Sequence, residues 1–475
     1  MGDEFFLYKG EVAVELARSL TRVRIGPRLT EIPYAAFQHC EKLIELQLNE
    51  ELQVIGDAAF YGCTSLRNVI FPSTVAELQV IGDAAFYGCT SLRNVIVPSP
   101  VIELGRQAFC GCSGLIELQL HEGLQVIGYR AFGDCTALRN VTVPSTVTEW
   151  GFDAFVNCSS LIEVQLKAGL KVIGGSAFKN CTSLRNVTVP SSVIELRNRE
   201  FVNCSSLIEL QLNEGLQVIG YGAFADCTAL RNVTVPSTVT VLGNGAFYRC
   251  SVLTEVKLNE GLRIIGGGAF HYCTSLRNVT IPSTVIEMGL FNNCSNLSEV
   301  IFLDGERLLN QEFLDYGFRR ERQGLLDQEA LDEMLFDVDR DFAFLGCPLT
   351  MVKISISWAV TERMTRLPQE CMLSVMQKIR GLRHLELHQD GIVLACFPVV
   401  SNTPGDETDD DSDTEAEDAL EICDTNLETA KSLYQVLQLI AFHELKESSI
   451  VIELAMWKSR VDVAMSVPRA DCRVA

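Results

Sequence analysis

The stretch Ala131-Phe132-Gly-Asp-Cys135-Thr-Ala-Leu138-Arg-Asn-Val141-Thr-Val143 decides the architecture, because it returns with small changes along most of the chain. Its phenylalanine recurs at 37, 60, 86, 109, 132, 155, 178, 201, 224, 247, 270 and 291. The spacing is 23 residues except for a step of 26 into Phe86 and one of 21 into Phe291. The longer step separates two identical stretches, residues 51–70 and 77–96, both reading ELQVIGDAAFYGCTSLRNVI. A unit of 23 residues cannot bury a hydrophobic face alone, so neighbouring units must stack and share one continuous core. Twelve coils at an inter-strand spacing of roughly 4.8 Å give a body on the order of 55–60 Å long.

Within each unit a Leu three residues after the Cys opens a strand, as in Leu115-Ile-Glu-Leu118-Gln-Leu120 and Leu138-Arg-Asn-Val141-Thr-Val143. Alternation turns the fourth and sixth residues inward and the third and fifth outward. PSTV or NEGL follows, then a second short apolar stretch such as Leu124-Gln-Val-Ile127, a Gly, and an Ala-Phe pair read as a single helical turn. The units alternate between an LRNVTVPSTV and an LIELQLNEGL subtype. Pro at 98, 144, 190, 236 and 282 therefore marks every second coil, where the missing N–H helps to stop the strand.

The pattern resembles the BspA-like leucine-rich repeat family, whose AFxxCxxLxxVxLP core matches Ala154-Phe155-Val-Asn-Cys158-Ser-Ser-Leu161. The resemblance spans residues 20–303. It implies an α/β leucine-rich-repeat solenoid, a right-handed β-rich superhelix or horseshoe, to which helical spacing later in the chain adds a C-terminal helical segment. It further implies a binding or adhesive scaffold rather than one particular ligand.

The remainder of the chain is read in pieces around that array. Residues 1–19 form an N-terminal cap, and 304–400 an irregular connection with an atypical leucine-rich end. In that end a decayed unit returns as Ala343-Phe344-Leu-Gly-Cys347, an amphipathic helix covers about 359–380, and Leu382-Arg-His-Leu385-Glu-Leu387 makes a further strand. Terminal coils need such a cover for their exposed core. Residues 401–424 carry eleven acids and no base, which marks a disordered acidic linker. Helical spacing then resumes over 425–460 as a pair of helices punctuated at Ser448-Ser449, which either cap the solenoid or serve a partner. Residues 461–475 are a tail.

Composition excludes whole function classes. Of 475 residues, 47% are hydrophobic and 21% charged, as in soluble globular proteins. Acids outnumber bases 61 to 39, a net charge of −22, so neither nucleic acid nor anionic lipid is an expected partner. The start, MGDEFFLYKGEVAVELARSL, has no uninterrupted apolar segment of the secretory kind, and no apolar run approaches the roughly 18 residues that span a bilayer. The expectation is a cytoplasmic protein without a membrane span.

Several motifs invite chemistry and yield to plainer readings. Twelve of the eighteen cysteines, at 40, 63, 89, 112, 135, 158, 181, 204, 227, 250, 273 and 294, recur once per coil and form an inward row of small hydrophobes rather than disulfides or zinc ligands. His384, Glu386 and His388 would share a strand face, but HLELH lacks the arrangement of a helical zinc motif. Thr408 and Ser412 in the acidic run have acids three residues later, and Cys472-Arg-Val-Ala475 fits a loose prenylation template, yet composition accounts for the first and chance for the second. No phosphate loop, nucleophile elbow or dinucleotide fingerprint occurs, and no cofactor or metal is expected. The coil around Phe201 stands apart, with Arg197 in place of the usual Gly and Glu200 in place of the usual Ala. It is expected to be looser or to carry a special contact.

What remains is the outward strand face. It alternates Glu-Gln pairs (Glu117 and Gln119, Glu163 and Gln165, Glu209 and Gln211) with Asn-Thr pairs (Asn140 and Thr142, Asn186 and Thr188, Asn232 and Thr234). Arg139, Arg185 and Arg231 beside them are expected to neutralise the Glu row across strands. These fifteen residues are the candidate partner-binding surface. The function they suggest is a non-catalytic protein-protein interaction scaffold with an unidentified protein partner, the rival being a surface or secreted adhesive protein of the same repeat type.

Overall fold

The computed structural model describes residues 5–72, 77–289, 291–311, 325–335, 343–388, 390–401, 420–422 and 428–466. The chain divides into two compact units, Met1–Ser298 with Glu333–Pro348, and Glu299–Asp332 with Leu349–Ala475. Most of the expected linker, 402–419 and 423–424, lies outside the described residues, and so do Thr408, Ser412 and the CRVA terminus.

In the first unit the coils stack as a parallel β-solenoid of about twelve turns. Strands one repeat apart pair in register, as when Asn140–Val143 joins Glu163–Leu166 through Asn140↔Glu163 and Thr142↔Gln165. A second parallel ladder links two-residue strands such as Glu103–Leu104, Val126–Ile127 and Glu149–Trp150. Val141 and Val143 point inward and are buried, whereas Asn140 is exposed.

The Ala-Phe segment is not the helical turn expected. Around Phe60 the amides of Ala58, Phe60 and Gly62 donate to carbonyls of the next coil at 2.8, 2.7 and 2.7 Å, while those of Ala59, Tyr61 and Cys63 fold back three residues within the coil. This alternation needs left-handed backbone at two places per coil. Ala58 has φ +53° and Gly62 +70°, and the same places are held by Arg130 and Asp134, by Asp153 and Asn157, and by Ser176 and Asn180. Gly, Asn and Asp tolerate that region best. Three of the coils also use these side chains as a ladder, in which Asn157, Asn180 and Asn203 donate to Asp134, Asn157 and Asn180 at 2.7, 2.8 and 3.0 Å.

The core is a set of rows. Phenylalanine rings from Phe37 to Phe291 stack nearly parallel with centroids 5.1–5.5 Å apart, and Phe344 continues the row at 5.3 Å. Beside it lies the cysteine row, in which most thiols donate to the phenylalanine carbonyl one coil back, for example Cys158 to Phe132 at 3.3 Å. Cys347 joins it through the Phe291 carbonyl at 3.2 Å, so the decayed unit at 343–347 does return to the array. Burial pushes most of these thiols up, Cys40 to about 11 and Cys273 to about 12, whereas the neighbouring Cys294 thiol holds that of Cys347 down. A third row is made of glycines at 56, 82, 105, 128, 151, 174, 220, 243, 266 and 289, where a Cβ would meet the preceding coil's backbone or side chains; at Gly105 it would lie 2.5 Å from the Gly82 carbonyl carbon.

The second unit does not continue the repeat. Glu299–Phe302 pairs parallel with Met351–Ser355, but Val393–Ser401 runs antiparallel to Met351–Ser355 and to Leu385–Leu387. The reversal is made by a hairpin between His388 and Ile392 with Gly391 at φ +88°. Helices Ser357–Met364 and Gln369–Arg380 replace the single helix expected over 359–380, with Pro368 at the break. Leu420–Ile422, inside the expected linker, pairs with Val399–Ser401. The expected helix pair is one helix, Glu428–Ser466, unbroken at Ser448-Ser449, where the Ser448 hydroxyl bonds the Glu444 carbonyl and leaves the helix intact.

Two outcomes follow. Phe178→Ala should lower stability by about 3–5 kcal/mol in denaturant titration, because a fully buried ring leaves a cavity that its neighbours cannot close. Thiol titration should find few reactive groups in the native protein and most of the eighteen after unfolding.

Candidate functional site

Fourteen of the fifteen strand-face residues are exposed and Thr142 is half-buried, so the alternating pattern places them on one face. Register brings Glu117 beside Asn140, Glu163 beside Asn140 and Asn186, and Glu209 beside Asn186. Thr142 donates to Gln165 at 3.3 Å, and Gln165 to Glu163 at 2.9 Å. The expected Arg-to-Glu neutralisation is absent: among the described residues no ion pair joins Arg139, Arg185 or Arg231 to the Glu row. Only Arg22 and Glu45, at the array's start, make such a pair, at 3.3 Å. The charges on this face are left facing water.

The face is interrupted where the repeat step lengthens. Glu45–Gln47 pairs with Asn68–Ile70, and Asn94–Ile96 with Glu117–Gln119, but Asn68–Ile70 and Asn94–Ile96 part. The other rows close normally, since Phe60 still bonds Ala85 at 2.7 Å and Val54 still pairs with Val80. Three extra residues thus open the strand side alone. The resulting cleft of about 560 Å³ is lined by Ile70, Phe71, Pro72, Ile96, Pro98 and His121, among others. Ile70 and Ile96, 41% and 51% exposed, stand where other coils carry Thr142, Thr188 or Thr234. Sequence reasoning missed this cleft, although the step of 26 and the change from Asn-Val-Thr to Asn-Val-Ile were its signals.

A second groove, about 360 Å³, lies on the turn side, where Gly222, Gly245 and Gly268 replace the side chains of earlier coils between Arg199, Tyr221, Tyr248 and His271. Arg199 covers the Tyr221 ring at 5.0 Å. Burial depresses the His271 imidazole below its ordinary range.

The motifs singled out for metal or acid-base chemistry disperse. His384 Nε2 pairs with Glu428 at 2.8 Å, whereas His388 lies 3.6 Å from Glu386. Glu386 is engaged by Lys353 at 2.6 Å, which also holds Glu299 at 2.7 Å. Among the described residues no three His, Cys, Asp or Glu side chains are grouped to hold a metal ion, and no helix is long and apolar enough to cross a membrane.

The coil at Phe201 keeps its ladders, with Phe178 bonded to Glu200 and Phe201 to Ala223 at 2.8 and 2.9 Å. The glycine row serves close approach and not positive φ, and at Arg197 it is broken; a Cβ on Gly220 would lie 1.8 Å from the Arg197 carbonyl oxygen. Glu200 fills an alanine slot between Ala177 and Ala223, fully buried, with neither carboxyl oxygen hydrogen-bonded. Burial pushes this carboxyl up to about 8, against a smaller pull from the backbone amides of Glu200 and Arg197. The folded state holds this proton where the unfolded chain releases it. The contribution of Glu200 to stability therefore falls as pH rises from about 4.5 to about 8 and levels off above, by at most roughly 1.4 kcal/mol per pH unit. Thermal unfolding should show the gap between Glu200→Ala and the wild type widening in favour of the variant as pH rises from about 4.5 to about 8, with the variant the more stable protein at pH 8.

Comparison with known proteins places the array. The profile of the BspA type leucine rich repeat region matches residues 10–80, 79–208 and 194–315, six copies covering more than half of the chain. A leucine-rich repeat protein from Bacteroides ovatus is similar at 26% identity over 59% of this chain and 80% of its own, with a TM-score of 0.42. A leucine rich cell surface protein from Faecalibacterium prausnitzii gives 23%, 62%, 83% and 0.39, and the pneumococcal vaccine antigen PcpA 17%, 58%, 74% and 0.35. None of the curated proteins matches the chain.

Proposed function

The chain belongs to the BspA-type leucine-rich-repeat family, and from that membership we propose that it is a non-catalytic protein-protein interaction scaffold that seats its partner on the strand face. The observation that carries this reading is the cleft at the duplicated coil. Interfaces concentrate their energy in a few desolvated apolar anchors inside a polar rim. Ile70, Phe71 and Ile96 supply such anchors on a face whose third and fifth strand positions elsewhere are mostly Glu, Gln, Asn and Thr. The polar rows on either side supply register without demanding burial of a charge. The row of buried, unpaired thiols, most of them held by a carbonyl, suits a reducing compartment, and this supports a cytoplasmic site of action.

The test uses the repeat's own residues as replacements. Ile70→Thr with Ile96→Thr restores the sequence of the other coils, so folding should be unchanged by circular dichroism. Proteins retained by the tagged wild type should bind this variant at least about tenfold more weakly, as expected when two central anchors are lost. Tyr248→Ala, in the turn-side groove, should bind as the wild type does. Equal retention by the strand-face variant and the wild type would remove the cleft from the reading.

A further inference from the structure

Among the described residues, the C-terminal helix Glu428–Ser466 buries side chains only near its start, at Thr429, Ala430, Ser432, Leu433, Val436 and Ile440. Beyond them it is an exposed arm whose apolar side chains are not covered: Phe442 is 61% exposed, Leu445 71%, Ile452 60% and Met456 54%. Exposed apolar surface on this scale marks an interaction site. These four residues, with Ser449 and Ser459, are spaced alternately three and four apart from 442 to 459, the spacing of a coiled-coil seam. Flanking the seam on one side is the row Lys446, Glu453 and Arg460, and on the other the small row Ala441, Ser448 and Ala455.

We propose that this seam is a homodimer interface in which the arms of two copies of the chain pack antiparallel. Antiparallel packing sets the first core position of each heptad against the second core position of the partner. Here that places Phe442 against Ser459, Ser449 against Ile452, and Met456 against Leu445, so that two of the three layers combine a large side chain with a small one. The same register brings the charged rows together and sets Lys446 of each copy against Glu453 of the other, twice by symmetry. Among the described residues neither side chain makes an ion pair within its own chain. A parallel pair would stack Phe442 on Phe442 and Ser449 on Ser449, and would face the charged row with the Ala-Ser-Ala row, leaving the charges without partners. The small row meets its own copy in the antiparallel arrangement and lets the backbones approach closely. Over the 18 residues from Phe442 to Ser459 the paired arms overlap by roughly 27 Å, clear of the residues buried at the helix start. Ile450, Val451, Leu454 and Trp457 lie off the seam and make it testable.

The full chain should have twice the monomer mass by light scattering at micromolar concentration. Leu445→Glu with Ile452→Glu should give a monomer with an unchanged thermal midpoint for the repeats, while Leu454→Glu should remain a dimer. Lys446→Glu alone or Glu453→Lys alone should weaken the dimer roughly tenfold, since two attractive pairs become repulsive, and the double exchange should restore it. A monomeric wild type, a dimer lost through Leu454→Glu but not through the seam variant, or a double exchange no better than the single ones would each overturn the proposal. So would binding of the arm to phosphatidylglycerol vesicles that the seam variant abolishes, which would assign the apolar surface to lipid.

Discussion

The distance between coils governs the rest of the first unit. Ladder hydrogen bonds hold neighbouring backbones at roughly 4.8 Å, and each residue type in the repeat is chosen by what that distance permits. At the glycine row a methyl group would overlap the preceding coil. At the phenylalanine row the rings stack nearly parallel with centroids at 5.1–5.5 Å, a little more than the backbone spacing, as offset stacking requires. The thiol is small enough to sit in the same narrow slice and still reach a carbonyl. Rows rather than individual contacts carry the stability, which is why an intrusion such as Glu200 can be held in place by the coils on either side.

The same constraint explains which parts of the fold were legible in the sequence. A dozen copies reveal which positions recur as Phe, Cys, Leu and Gly, and those positions are the buried rows. The Ala-Phe turn was misread because its i to i−3 bonds imitate a helical turn, while its left-handed residues include Ala58, Arg130 and Ser176, which carry no conformational signature. Glycine's role was legible as either positive φ or close approach, and only the geometry separates the two. The second unit occurs once, so no repetition distinguishes structural positions from incidental ones. There the helical pattern ran through Pro368, and Ser448-Ser449 was given a break that a hydroxyl bonded within its own helix does not make.

The strand-face residues fell on one surface as alternation required, but that surface holds few of its charges in pairs, and its apolar anchor lies one coil before the first residue selected. Ile70 and Ile96 differ from their counterparts by one letter each, and the importance of that letter depends on a separation between strands which three extra residues impose.

The duplicated coil has a consequence for how such a molecule changes over generations. Because residues 51–70 and 77–96 are identical and stack Phe60 on Phe86 and Tyr61 on Tyr87 in near-parallel pairs, either copy can serve as the neighbour of the other's neighbours. Excising one copy with its short joint would bring the flanking coils together along surfaces they already present, and inserting another would cost little more than its own synthesis. Recombination between such segments would alter the molecule by whole rungs, and the cleft would move along the array with the joint that opens it.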